Sequence, residues 1–517
     1  MEARQTSSWG RADWIATAAV SAVAAVAAAW RAGRVQPWHS DVGLIFDGAY
    51  RIATGEVPYK DFLLVTSPLT YYNLAACFKM FGYRYHAAPY LAVGCALLIA
   101  MTYLFCARVL KLSRLQCVGL SCLQIIWAPQ VMLGMVWYDC DAAVVAMAAG
   151  CLLVRGWSAD EPRDKEYFLG GVLCALGFWV KQDLGAGLLV GGCLGTLWTA
   201  LGARSRRWRG PAAFVSGSVL VFLAAGATFA WHGAFGDMWH WVVERALMFK
   251  WGETPRQGET IRKLLSPFTT SIDRSSKLVV MMYLAAIVGA WRSYRLSGER
   301  RQLALAAVAL MWLASLYASL VTHDGQAYAA RASTFACTLG IIWSTWPAFD
   351  AASPRRRVLG AAFVFGVILV GVRGIYYWSN MTPDTPSVVL RTPRLAGMRV
   401  SHKVAALDKM VEYIATRVPP EDDILNLDCI LVYFATGRRH PHPIPDFTPP
   451  EILPRDEDRV MSDLRRHRVR WYFRFGDARG RDLDPMLGLT GLKAYVRDEF
   501  RFKETIDGFT VWTSIAP

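Results

Sequence analysis

Five stretches of this chain set ionisable side chains among apolar ones, in patterns suited to chemistry on a hydroxyl and a phosphate. The first, "HSDVGLIFDGAYRIATGEVPYKDF" (39–62), carries His39 and the acids Asp41, Asp47, Glu56 and Asp61 just after an apolar run. A carboxylate at such a boundary, Asp41 above all, can take a proton from a hydroxyl as a general base. The second, "YDCD" (138–141), holds Asp139 and Asp141 two residues apart, a spacing that can bind a divalent cation or orient a hydroxyl. The third, "VKQDLG" (180–185), breaks an apolar stretch with Lys181, Gln182 and Asp183. Charges at such a break are costly and point to function, and an ammonium is a compact phosphate binder. The fourth set lies in two further polar stretches. Arg245 and Lys250 fall in "VVERALMFKWGE", and Arg331 closes "THDGQAYAAR", which also brings His323, Asp324 and Gln326. A guanidinium can clamp a phosphate through two hydrogen bonds.

Each group also has a plainer reading. Ser40-Asp41 precedes a helical pattern, so Asp41 can be an N-cap, and Asp139 or Asp141 can cap the span that follows. Lys181 can snorkel, and each Arg can anchor the interface. Asp47 and Glu56 read as surface acids, while Asp61 can hold the loop's own fold. "RRHPHP" (438–443) spaces two His between prolines and reads as a rigid exposed loop before it reads as a metal site.

The elements that must position these groups are membrane spans. Apolar residues make up 54 % of 517, and mean hydropathy is +0.25. The 21 Trp sit largely at the ends of apolar runs, as in an aromatic belt. Runs long enough for about 30 Å of hydrocarbon fall near 12–32, 87–109, 115–136, 141–157, 168–180, 184–202, 211–231, 277–291, 302–320, 331–349 and 358–378. The net charge of +15 collects in alternate short loops, such as Arg204/Arg206/Arg207/Arg209 and Arg355/Arg356/Arg357. That is the positive-inside pattern and argues against nucleic-acid binding. It predicts a polytopic α-helical protein of eleven spans, N-terminus inside, with everything after 378 outside. The first run lacks a small-residue cleavage site and reads as a retained span. The eleven Cys lie mostly within apolar segments and form no disulfide or CxxC pattern.

Outside the membrane, the first loop (33–86) holds a second helix in "TSPLTYYNLAACFKMFG". Ser67 suits its cap, Pro68 its first position and Gly82 its stop, and the helix should lie along the membrane surface. Residues 379–517 read as a small extracytoplasmic α/β domain. Its helices fall in "VAALDKMVEYIATRV" and 456–468, and its strands at 424–428, 431–437, 469–475 and 509–515.

In order and topology, Asp41 after the first span, "GEVPYKDF", "SPLTYYNLAACFKMFG", "YDCD", "KQD" and "LVYFATGRRHP" resemble membrane glycosyltransferases of the GT-C class. The nearest branch is the bacterial one of protein O-mannosyltransferases and the aminoarabinose transferases that modify lipid A. The resemblance covers nearly the whole chain. It implies a polyprenyl-phosphate sugar donor, a glycan, lipid or protein acceptor, and chemistry on the outer face of the cell (inner or plasma) membrane. It makes Asp41 the base, although many members carry Asp-Glu where this chain has Asp41-Val42. It makes Lys181 the phosphate-facing lysine, with Arg331, Arg245 and Lys250 as further anion partners. His39, Asp61, Asp139, Asp141, Gln182, Asp183, His323 and Gln326 become candidates to line the site. In related oligosaccharyltransferases second-loop acids bind a divalent metal, so Asp41, Asp139 and Asp141 would hold Mg or Mn if one is used; monosaccharide-transferring relatives often need none.

A secondary transporter or lipid flippase would also have many spans and a broken helix. It should show inverted repeats and midplane charges; no such repeat is evident, and these charges fall at the outer boundary. A non-catalytic receptor or scaffold would not need Asp41, Asp139, Asp141 and Lys181 to converge.

Overall fold

The computed structural model describes residues 10–32, 40–64, 66–159, 163–201, 208–247, 274–322, 334–345, 387–427, 429–444, 456–475 and 489–515. The helices before residue 346 are α1 (Arg11–Ala32), α2 (Ser40–Ala53), α3 (Leu69–Phe81), α4 (Ala87–Leu104), α5 (Arg114–Trp127), α6 (Pro129–Leu133), α7 (Tyr138–Ser158), α8 (Asp164–Val180), α9 (Gln182–Leu201), α10 (Arg209–Trp231), α11 (Phe235–Trp239), α12 (Arg274–Ser297), α13 (Arg300–Thr322) and α14 (Phe335–Thr345). A π-helical turn, Phe105–Val109, extends α4. Among the described residues, Arg11–Ala32, Ala87–Val109, Tyr138–Ser158, Gln182–Leu201, Arg209–Trp231 and Arg300–Ser319 are long and apolar enough to cross a membrane. The chain is thus a polytopic helical membrane protein, and six helices among the described residues meet this measure. The span expected at 358–378 lies outside the described residues.

Two spans differ from expectation for local reasons. The run 115–136 is two helices, because Pro129 forces Ala128 into extended backbone (φ −70°, ψ 129°) between α5 and α6. The break at "KQD" is real: α8 ends at Val180, Lys181 is extended, and α9 starts at Gln182. The turn is tight because Gly185 has no side chain; a Cβ there would lie 2.0 Å from the Phe178 nitrogen. Farther along α9, a Cβ on Gly187 or Gly191 would meet the α13 backbone at 2.4 and 2.5 Å. With no hydrophobic drive between helices in lipid, such close backbone contact is what joins them.

After residue 386 come β1 (Ser387–Val389), β2 (Arg399–Ser401), α15 (His402–Arg417), β3 (Ile424–Asn426), α16 (Leu431–Thr436), α17 (Glu457–Arg466), β4 (Trp471–Phe475), α18 (Thr490–Glu499), β5 (Phe500–Ile506) and β6 (Phe509–Ser514). Strands β3-β4-β6-β5 form one sheet in that order, with β3 and β4 parallel and the other pairs antiparallel. The β5–β6 hairpin turns at Asp507-Gly508, where Gly508 has φ +93°. The expected face of α15, Leu407, Met410, Val411 and Ile414, is buried. "LVYFATG", expected as a strand, is helix α16, stopped by left-handed Gly437. Its residues Leu431 to Ala435 are all buried, and an apolar run buried on every side carries no period to separate helix from strand.

The core of this unit is continuous with the first loop: Phe46, Phe78, Phe434 and Tyr472 belong to one buried cluster. Helix α3 ends at Gly82 as expected, but Pro68 occupies its N-cap and no side chain caps it. "GEVPYKDF" folds on itself. Arg51 pairs with Glu56 at 2.6 Å and lies 4.4 Å over the Phe62 ring, and Asp61 accepts the Val57 amide at 2.7 Å.

Asp47 is buried rather than on the surface. Within "RRHPHP", His440, Pro441 and His442 are buried rather than on an exposed loop, and the Leu63 amide bonds to the Pro443 carbonyl at 2.9 Å; Arg439 stays exposed and reaches Glu56 at 3.4 Å. The rings of His440 and His442 lie 5.1 Å apart, and His440 sits 3.6 Å from the Tyr433 ring. Burial holds the Asp47 carboxyl up to about 7, against the pull of Arg51. It pushes His442 down to about 3 and His440 well below the ordinary imidazole value.

These shifts act at opposite ends of the pH scale. The unfolded chain protonates its His as pH falls below about 6.5 while buried His442 stays neutral, so stability drains by about 1.4 kcal/mol per pH unit on that side. Asp47 costs nothing near pH 4 and most above about pH 7. In thermal unfolding of detergent-solubilised protein, His442→Phe should flatten the acid slope. Asp47→Asn should raise the midpoint near pH 8 and leave it unchanged near pH 4. Profiles parallel to wild type would contradict both assignments.

Candidate active site

The centre of the site is an ion pair. Lys181 Nζ donates to Asp139 Oδ1 at 2.9 Å, with the two side chains 11 % and 2 % exposed. The α8–α9 break supplies the lysine, and the first turn of α7 supplies the acid. Of the three N–H groups on the ammonium this bond uses one, which leaves capacity for an oxyanion.

Asp141, two residues on, looks elsewhere. Its Oδ2 accepts from Tyr90 OH at 2.7 Å, Thr70 Oγ1 at 2.9 Å and Asn73 Nδ2 at 3.2 Å, tying α3 to α4 and α7. Asp139 and Asp141 therefore face separate partners and do not fit a shared metal. Among the described residues no group of three His, Cys, Asp or Glu is arranged to hold one.

Beside the pair lies a triangle of hydroxyls. Tyr71 OH meets Tyr138 OH at 2.7 Å, and Thr66 Oγ1 meets them at 2.9 and 3.1 Å. Tyr138 directly precedes Asp139, so the triangle connects the first loop to the ion pair. Sequence reasoning missed Tyr71, Thr70, Tyr90 and Tyr138. The one signal for Tyr138 was its place in "YDCD", and a tyrosine hydroxyl looks like belt or core until its partner is known.

The other candidates divide. Gln182 Nε2 reaches the Val242 carbonyl at 3.4 Å, and Asp183 Oδ1 accepts the Leu184 amide at 2.8 Å in the first turn of α9. Arg245 is fully buried, 4.1 Å over the Trp241 ring and 2.5 Å from Asp456 Oδ2. Its guanidinium thus binds the C-terminal unit, a role the sequence did not suggest. Asp61 serves its own loop, as above. Asp41 lies in the first turn of α2. His39, Lys250, His323, Asp324, Gln326 and Arg331 lie outside the described residues.

No family model and no curated protein matches the sequence. Solved structures do. ArnT from Cupriavidus metallidurans bound to undecaprenyl phosphate superposes with a TM-score of 0.55 over 98 % of this chain and 99 % of that one, at 13 % identity. The same protein in the apo state gives 0.50 over 97 % and 98 %, at 12 % identity. This chain has the ArnT fold. The polytopic helical fold expected from the resemblance is the one found.

Removing either partner of a buried ion pair leaves a charge stranded, at a cost of about 3–5 kcal/mol, whereas removing both is often near neutral. Lys181→Met and Asp139→Leu should each lower the thermal midpoint sharply, and the double variant should recover most of the loss. Additive losses would mean that the two do not depend on each other.

Proposed function

We propose that this protein is a GT-C-type glycosyltransferase of the inner or plasma membrane. It moves a sugar from a polyprenyl-phosphate donor to an acceptor hydroxyl at the outer face. The observation that carries the reading is the end-to-end likeness to ArnT, an aminoarabinose transferase solved with undecaprenyl phosphate. The buried lysine at the α8–α9 break supports it.

In this reading the donor's lipid tail stays in the bilayer and the acceptor, a glycan, lipid or protein, enters from the aqueous side. Asp41, at the start of α2, takes the hydroxyl proton as the oxygen attacks the anomeric carbon opposite the phosphate. Help of that kind is worth about 10²–10⁴-fold. The departing lipid phosphate is a weak base and needs no acid. It does need its growing charge stabilised. Lys181 does this with the N–H groups that Asp139 leaves over, and Arg331 and Lys250 add to it. Arg245 contributes only if it releases Asp456. One displacement inverts the anomeric carbon; a retaining route would need a second carboxylate about 5 Å from the first.

The test is transfer of radiolabelled sugar from polyprenyl-phosphate donors in membranes, at matched expression. Wild type should transfer, and Asp41→Asn should lose about 10²–10⁴-fold. Equal transfer by both would remove Asp41 as the base and send the search to Asp61, Asp139, Asp141 and Asp183.

A further inference from the structure

Two glycines mark where the rest of the chain touches the backbone of α2. A Cβ on Gly48 would lie 2.7 Å from the Tyr71 ring, and one on Gly43 would lie 3.2 Å from both the Ile430 Cβ and the Leu431 nitrogen. Helix α2 is therefore gripped between α3 and the C-terminal segment that opens α16.

Both jaws are braced. On the C-terminal side the Phe434 ring stacks on Phe78 at 5.3 Å and meets Phe46 edge-on at 5.5 Å. Arg394 donates to the Phe434 carbonyl at 2.9 Å and lies 4.5 Å over the Tyr50 ring of α2. On the other side, Tyr71 is bonded to Tyr138, the neighbour of the acid that holds Lys181. Gly43 is two residues from Asp41.

We infer that the C-terminal unit is a positioning element of the reaction: Ile430 and Leu431 seat α2, and with it Asp41, against the Tyr71–Tyr138–Asp139–Lys181 line. The inference rests on the glycosyl-transfer reading above. It differs from a role in gripping the acceptor, because the unit then acts through α2 and not through substrate contact. A Cβ at Gly43 would press on the Leu431 backbone nitrogen and the Ile430 Cβ, neither of which can swing aside, and misplacing a reacting group by about 1 Å can cost about 10²-fold in rate.

The experiment is Gly43→Val in the full-length protein, assayed by sugar transfer from a polyprenyl-phosphate donor. The kcat should fall about 10–100-fold, with KM for donor and acceptor held within about twofold, the signature of a loss felt in the transition state. Adding Leu431→Ala should restore part of the rate, because the Leu431 Cγ lies 3.5 Å from the new Cβ. If Gly43→Val fails to fold, Gly43→Ala asks the neighbours to give only a few tenths of an ångström and should lower kcat in the same sense. A raised acceptor KM with kcat intact, or unchanged transfer, would overturn the inference. Two controls separate the layers: no transfer by wild type would sink the functional reading, normal transfer by Asp41→Asn would remove Asp41 as the base this inference seats, and if Asp41→Asn is dead while Gly43→Val is normal only this inference fails. Amide hydrogen exchange gives a readout without activity. Leu431→Ala should speed exchange in α2, and unchanged exchange there would contradict the seat.

Discussion

A charge cannot sit unpaired where water is scarce, and in this protein that constraint is met by Lys181 and Asp139. Their bond joins the α8–α9 break to the start of α7, so two spans and the turn between them are fixed by one contact. The pair does little for net stability, since the cost of desolvating two ions nearly cancels their attraction. Its value in the proposed reaction is that the lysine is held in place at an apolar boundary before an oxyanion develops. The acid's neighbour, Asp141, is committed to Tyr90, Thr70 and Asn73 and so fixes α3 rather than the chemistry.

From that contact the order runs outward. Tyr138 passes it to Tyr71, Tyr71 packs against α2 at Gly48, and α2 in turn carries the first loop's acid. The C-terminal unit closes over the other side, sharing one apolar core with the loop and meeting it through Arg394 on the Tyr50 ring and Pro443 on the Leu63 amide, while the Arg245–Asp456 pair ties the same unit to the segment after α11. The loop and the C-terminal unit are one packed body, which is why the polar stretch after the first span is so elaborate. Glu56 and Asp61 build the loop, Asp47 is buried in it, and Asp41 is left at the start of its helix.

Much of this was legible in the sequence, for reasons that can be named. Spans show as apolar length, the break at Lys181 shows as charge inside that length, and α15 shows through its spacing of Leu407, Met410, Val411 and Ile414. What failed was what depends on distant partners. The strand expected at 431–437 is a helix because its surroundings, not its period, decide. The two His of "RRHPHP" read as surface until the ring of Tyr433 is found against His440 and the Leu63 amide on Pro443. Arg245 reads as a phosphate clamp until Asp456, 211 residues away, is found at its end.

The most direct test of the account is an experimental structure of the full chain with undecaprenyl phosphate. The account predicts a phosphate oxygen about 2.7–2.9 Å from Lys181 Nζ, the length of a charge-assisted bond, with Asp41 on the far side of the position the sugar would take. A phosphate bound elsewhere, with the Lys181–Asp139 pair untouched and Asp41 turned away, would contradict it.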